Sequence, residues 1–321
     1  MRALNVSIGA LIVLAFVCPA KSQQWPKAPV KIIVPYAAGG SADTIARMFA
    51  QRFSEAFRTS FYVENRTGAN GTIAAEAVAH SQPDGYTLLM AATPQIAISP
   101  AMMKVRYDPV KDFVPISAVI TNTFALVVNG KLPVKTVSDL VGYVRSQPTQ
   151  VLYATGGIGS VTHLAMELFL ERTGLKMTNV NYKGGSPGLA AVVAGEIPIK
   201  FSVLSDVLEQ AANGNIRILA VSSEKRAPQV PEVPTLIESG FPGYNVMSWI
   251  GLMAPAGTPK EIVDRIAAEV GVAMKDQKFV ERLKNFGADP LGNSPAEFKA
   301  MIYADIALWG EAVGNAGVKY H

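Results

Sequence analysis

The sequence predicts an α/β protein built as two lobes with a ligand cleft between them. Short apolar runs rich in β-branched residues alternate along the chain with segments of helical period. Glycine turns join strand to helix at Ala37-Ala38-Gly39-Gly40-Ser41 and again at Gly156-Gly157-Ile158-Gly159-Ser160. The same alternation starts afresh after about residue 122, so two sheets are expected, one on each side of that point.

In chain order, Val30-Lys31-Ile32-Ile33-Val34, ended by Pro35, reads as a buried strand. From Ala42 the apolar positions Ile45, Ala46, Met48, Phe49, Phe53 and Phe57 fall on one helical face. A strand that feeds a helix through a glycine turn leaves unpaired N–H groups at the positive end of the helix dipole, which is a ready anion site; it is equally an ordinary helix start. Ser60–Glu64 reads as the next strand, Thr72–Ala79 as a helix, Pro83-Asp84-Gly85 as a turn and Tyr86–Met90 as a strand, with Thr93-Pro94-Gln95 on the loop after it. Thr121–Val128 reads as a strand behind a proline-punctuated stretch. Val151–Thr155, the turn 156–160 and Val161–Arg172 repeat the opening pattern, and Val180–Tyr182, Lys183–Pro187 and Gly188–Ala194 repeat it again. Ile197–Val203, Leu204–Ala212 and Ile216–Val221 follow as strand, helix and strand, and from Pro259 the chain is mainly helical. The units imply right-handed crossovers and a largely parallel sheet in each lobe. If the lobes face each other, the two glycine turns converge on one cleft.

With 321 residues the chain buries a substantial core, and its net charge of +4 does not suggest nucleic acid. Arg2, the apolar run Leu11–Val17 and the small residues Ala20 and Ser22 predict a secretory signal peptide over residues 1–22, cleaved after Ala20 or Ser22. Cleavage removes Cys18, the sole cysteine. No later segment has the length and apolarity of a membrane span, so a soluble protein outside the cytoplasm is expected.

His80, His163 and His321 lie too far apart for metal-ligand spacing, and no cofactor is expected. Gly157-Ile158-Gly159-Ser160-Val161-Thr162 begins like a dinucleotide fingerprint but has threonine in the third glycine place. Ser160 lacks a Gly-x-Ser-x-Gly elbow, although His163 stands three residues from it on one helix, which keeps a secreted hydrolase in view as a rival. Lys183 is a candidate attractor of an acidic ligand, against the commoner fate of a solvated lysine. Trp249 and Trp309 read as packing residues.

Seven ordered motifs carry a resemblance. They are Pro35-Tyr36-Ala37-Ala38-Gly39-Gly40-Ser41-Ala42-Asp43, Val63-Glu64-Asn65-Arg66, Pro83-Asp84-Gly85-Tyr86-Thr87-Leu88-Leu89 and Tyr107-Asp108-Pro109-Val110-Lys111-Asp112-Phe113. After them come Tyr182-Lys183-Gly184, Pro231-Glu232-Val233-Pro234-Thr235 and Leu252-Met253-Ala254-Pro255-Ala256-Gly257-Thr258-Pro259. The set resembles the Bug family of periplasmic solute-binding proteins, receptors of tripartite tricarboxylate transporters.

The resemblance implies a two-lobed Venus-flytrap of the type II periplasmic binding class that closes over a small organic carboxylate, catalyses nothing, and hands its ligand to membrane transporter subunits as a monomer. It divides the mature chain into a first lobe, residues 24–122 with 247–321, and a second, residues 123–246. It implies a ligand site of Tyr36, Ala38, Gly39, Ser41 and Asp43 on the first turn and Thr155, Gly156, Gly159, Ser160 and His163 on the second. Thr93 and Gln95 would line the cleft from their loop. Where the family often has Phe-Asp-Asn on the far strand this chain has Phe201-Ser202-Val203, so Ser202 marks the distal side and weakens the case for an amino-acid ligand. An alternative within binding proteins is a ligand sensor that presents its closed state to a sensor kinase.

Overall fold

The computed structural model describes residues 25–182, 184–285 and 288–317. The expected signal peptide with Cys18, the candidate Lys183, and His321 lie outside the described residues.

The elements run β1 (Val30–Val34), α1 (Ser41–Phe57), β2 (Phe61–Asn65), α2 (Thr72–Ala79) and β3 (Thr87–Ala92), then a π-helical turn (Pro94–Ile98) that continues into the short α3 (Ser99–Met102). The long β4 (Phe113–Asn129) leads to α4 (Val137–Ser146), β5 (Val151–Thr155), α5 (Val161–Thr173), β6 (Met177–Asn181), α6 (Gly185–Ala194), β7 (Ile199–Val203), α7 (Leu204–Ala212) and β8 (Ile216–Val221). The chain returns through β9 (Met247–Pro255), α8 (Lys260–Ala273), α9 (Gln277–Asn285), β10 (Asp289–Pro290) and α10 (Pro295–Ala316).

Each lobe has a parallel set, β2-β1-β3 in one and β6-β5-β7 in the other. The expectation of largely parallel sheets is corrected by two strands that join the sets. β9 runs antiparallel to β3 and to β4, and the last six residues of β4, Phe124–Asn129, run antiparallel to β7 and β8. β4 also begins at Phe113, well before the expected Thr121, because a register shift between Pro115 and Ser117 takes the proline into the strand. Thr123 pairs with Met247 in the first sheet, and Phe124 pairs with Val203 in the second, so one continuous strand passes between the lobes at that step.

The first sheet buries Ile45, Phe49 and Phe53 of α1 with Ile266 and Leu283 on one face, and Ala75, Trp249, Phe298 and Ile302 on the other. The second sheet packs Leu140, Leu164 and Phe169 on one face and Leu189, Val192 and Val207 on the other. Each large apolar side chain so removed from water contributes about 1.5–3 kcal/mol before entropy is counted. Helix α10 is not confined to the first lobe. Phe298 and Ile302 pack there, whereas Trp309, Ala312 and Val313 pack with the second lobe's core and with Ala97, Ile98 and Met102.

Candidate functional site

The turn after β1 begins the site. Gly40 takes the N-cap position of α1 in an extended conformation and has no side chain with which to cap it. No side chain accepts from the first turn, so the N–H groups of Ser41 and Ala42 face out at the positive end of a 17-residue helix. Asp43, although in that turn and 3 % exposed, does not cap it. Its Oδ2 accepts from the Gly39 N–H at 2.9 Å and from Arg47 Nε at 3.0 Å, and its Oδ1 accepts from Asn65 Nδ2 at 2.9 Å. Burial pushes the Asp43 carboxyl up, but the donors from Arg47, Gly39 and Asn65 outweigh it and hold the group below the usual carboxylate range. Gly39, with φ at +86°, is pinned by this bond. Its N–H is spent on the Asp43 carboxylate, inside the turn.

The second turn is braced in the same way. Gly156 N–H donates to Thr162 Oγ1 at 3.1 Å, and Gly159 N–H donates to His163 Nδ1 at 3.1 Å. Thr155 is fully buried, and its hydroxyl lies 3.0 Å from both Asn179 Oδ1 and Asn181 Oδ1. Ser160 caps α5 by accepting from the His163 backbone N–H at 3.2 Å, and its Oγ stands 3.1 Å from Thr162 Oγ1. His163 is 5 % exposed; burial pushes its imidazole below the ordinary value, with Glu167 pulling it partly back. Because Nδ1 is an acceptor, the ring's proton resides on Nε2, 3.6 Å from Glu167 Oε1. The ring thus faces its own loop and not the Ser160 hydroxyl. Ser160 and His163 do not form the nucleophile and base that the hydrolase alternative requires.

These two helix starts meet at one cavity of about 260 Å³. Its walls are Tyr36, Gly40, Ser41 and Ala42 from the first turn, Val161 from the start of α5, Ala92 and Pro94 after β3, and Asn122, Ser248, Trp249 and Ile250 from the strands that join the lobes. Every one of these residues is uncharged. A second depression of about 240 Å³, between Pro109–Pro115 and α10, also abuts a helix start. There Pro295 has no N–H to offer and Ser294 and Glu297 form a complete capping box, which takes the Glu297 N–H.

Of the residues expected in the site, Tyr36 and Ser41 line the cavity, and Ala38, Gly39 and Asp43 belong to the turn that shapes it. Gly156, Gly159 and Ser160 belong to the loop that delivers Val161, and His163 braces that loop from the first turn of α5. Thr93 and Gln95 are corrected: they are helical and fully buried, not on an open loop. Thr93 Oγ1 accepts from Trp249 N at 3.0 Å, and Gln95 binds Ala92 N, Tyr36 Oη and Asn70 O at 2.9, 2.9 and 3.0 Å. They hold the cavity's frame from behind. Ser202 is 2 % exposed on β7 and lies outside the cavity wall. Asn122 and Ser248 were not expected in the site. They face each other in the β4–β9 register, with Asn122 Nδ2 3.4 Å from Ser248 Oγ, and only the pairing of strands more than a hundred residues apart brings them there.

The family model described as "Tripartite tricarboxylate transporter family receptor" matches residues 45–318. The chain belongs to this receptor family, TctC. Protein BugT of Bordetella pertussis is 32 % identical over 322 residues, covering 99 % of each chain. Among solved structures, R. palustris Rpa4515 with adipate is 36 % identical at a TM-score of 0.77, covering 92 % of this chain and 99 % of that one. The periplasmic binding protein BugD is 32 % identical at a TM-score of 0.75, covering 92 % and 100 %. The TctC receptor described here thus has the two-lobed Venus-flytrap fold of periplasmic binding proteins, and its cavity lies where the lobes join.

Proposed function

We propose that this receptor works in the periplasm, captures a small organic carboxylate between its lobes, and delivers it to the membrane subunits of a tripartite tricarboxylate-type transporter. The observation that carries the reading is the meeting of two helix N-termini at one uncharged cavity, one of them uncapped. Ser41 and Ala42 N–H groups are donors for a carboxylate oxygen, and each helix start contributes about 0.3–1 kcal/mol, more when partly buried. No arginine is needed. The Tyr36–Asp43 and Thr155–His163 turns form the two halves of the clamp, and lobe closure brings the second half onto the ligand. The step at Thr123–Phe124 and its return at Val246–Met247 serve as the hinge, the first of them one residue past the limit expected from the sequence. The adipate in Rpa4515 and the periplasmic setting of BugD support the ligand class and the compartment.

A Ser41→Asp variant tests the clamp. The new carboxylate sits in the first turn of α1, where it stabilises the helix by about 0.3–1 kcal/mol and occupies the anion site. The expected outcome is an unchanged or raised Tm together with loss of carboxylate binding in calorimetry. Undiminished binding would contradict the assignment.

A further inference from the structure

Lys200 is a fully buried lysine, at 0 % exposure, that the clamp does not use. It lies on β7, whose parallel pairing with β5 stops at Ala154–Lys200. Past that pair the two strands part. The helix after β5 packs on one face of the sheet, and those after β6 and β7 pack on the other. The seam between β5 and β7 is therefore the point where the crossover direction switches, and the carboxyl end of such a seam is where open α/β sheets place their ligands. The turn 156–160 opens at the same edge.

The ammonium folds toward that end, with Nζ donating to the carbonyl oxygen of Phe201, the next residue, at 2.8 Å. An added Cβ on Gly188 would meet Lys200 Cε at 3.3 Å and Thr155 O at 3.5 Å, which places the lysine stem beside the base of the second turn. Gly188 leaves room for it. Ser202, two residues on along the strand, shares the face of Lys200. Among the described residues Lys200 forms no ion pair, and the Phe201 carbonyl is the one acceptor its three donors have. Burial pushes the ammonium down to about 8, with Asp206 at the start of α7 partly offsetting this through space. A buried cation with one neutral acceptor is costly to the fold, and a flexible four-carbon stem lets it re-aim toward an arriving anion.

We propose that Lys200 is a specificity-determining residue that reads the far end of the bound acid, receiving a second anionic group and making the receptor selective for ligands acidic at both ends. This rests on the carboxylate reading above: the helix starts take the first carboxylate, and Lys200 takes the second.

The test is calorimetry with chain-matched pairs, succinate against butyrate, glutarate against pentanoate and adipate against hexanoate, on the wild type, Lys200→Met and Lys200→Gln. At least one diacid should bind the wild type about tenfold or more tighter than its monoacid partner. Both variants should bring that ratio close to one while leaving monoacid affinity in place, and removing the unpaired ammonium in Lys200→Met should raise the ligand-free Tm. If Lys200→Met fails to fold, Lys200→Gln and the wild-type ratio carry the test. Equal binding of diacids and monoacids by the wild type, or variants that weaken both alike, overturns the role of Lys200 and leaves the carboxylate clamp standing. If no acid of either kind binds, the carboxylate reading falls and the inference falls with it.

Discussion

At Asp43 a single carboxylate governs the first turn, since it holds Gly39, Arg47 and Asn65 together. Asp43→Ala leaves the Gly39 N–H without its acceptor and the Asn65 amide with the Tyr36 carbonyl alone, and should cost about 1–3 kcal/mol, read as a lower denaturant midpoint, with a weakened ligand affinity because the turn loses its shape. The contribution follows the sign of its depressed carboxyl. It is fully present above the ordinary aspartate value of 3.8 and is lost as pH falls from there through the lower folded value. Acid titration of the wild type against Asp43→Asn checks this. Gln95 acts at the same scale: Gln95→Leu leaves the buried Ala92 N–H without its acceptor and removes the donor to Tyr36 Oη and Asn70 O, and should lower stability by about 1–3 kcal/mol without adding or removing any cavity-lining group. The turn between β1 and α1 was legible because a glycine turn between strand and helix has a local signature. Thr93 and Gln95 were placed on a loop because Pro94 reads locally as a breaker, whereas proline fits the first turn of a helix, where its N–H is not missed.

Helices α5 and α10 carry the titratable groups whose effect is set by packing. His163 is held neutral on α5, so its contribution is full above the ordinary histidine value of 6.5 and is lost as pH falls from there through the lower folded value. An NMR titration should show the Nε2–H tautomer and a midpoint below 6.5. On α10, burial pushes the Asp305 carboxyl up to about 7, against the pull of the Trp249 and Trp309 indoles, and its Oδ2 accepts from Trp249 Nε1 at 2.6 Å. Here the sign reverses: stability is full below the unfolded value of 3.8 and declines as pH rises through about 7. Asp305→Asn keeps an acceptor for Trp249 and should raise stability at pH 8 by on the order of 2 kcal/mol, with the gain shrinking toward pH 4. Strands β5 and β8 and helices α2 and α7 were read from the sequence with the limits the structure gives them. β9 and the first half of β4 were not, since their partners are remote and the pairing that makes them strands is invisible to a local pattern.

Across the whole molecule, β4 passes from one lobe to the other as a single strand, β9 runs beside its first-lobe half, and α10 packs in both cores. The two-lobe plan was legible because the strand-turn-helix pattern occurs twice. Asn122 and Ser248 were not, because they enter the site only where the joining strands meet. Closure about these strands should bring Val161 toward Ser41, seen as a smaller radius of gyration in solution scattering when ligand is added. The most direct test of the central claim is a thermal-shift screen of the mature protein against monocarboxylates, dicarboxylates, tricarboxylates, amino acids, and neutral and cationic solutes, since a ligand that binds only the folded state raises Tm by mass action. A rise confined to carboxylates, lost in Ser41→Asp, is the predicted result; a rise with neutral or cationic solutes and with no carboxylate would contradict it.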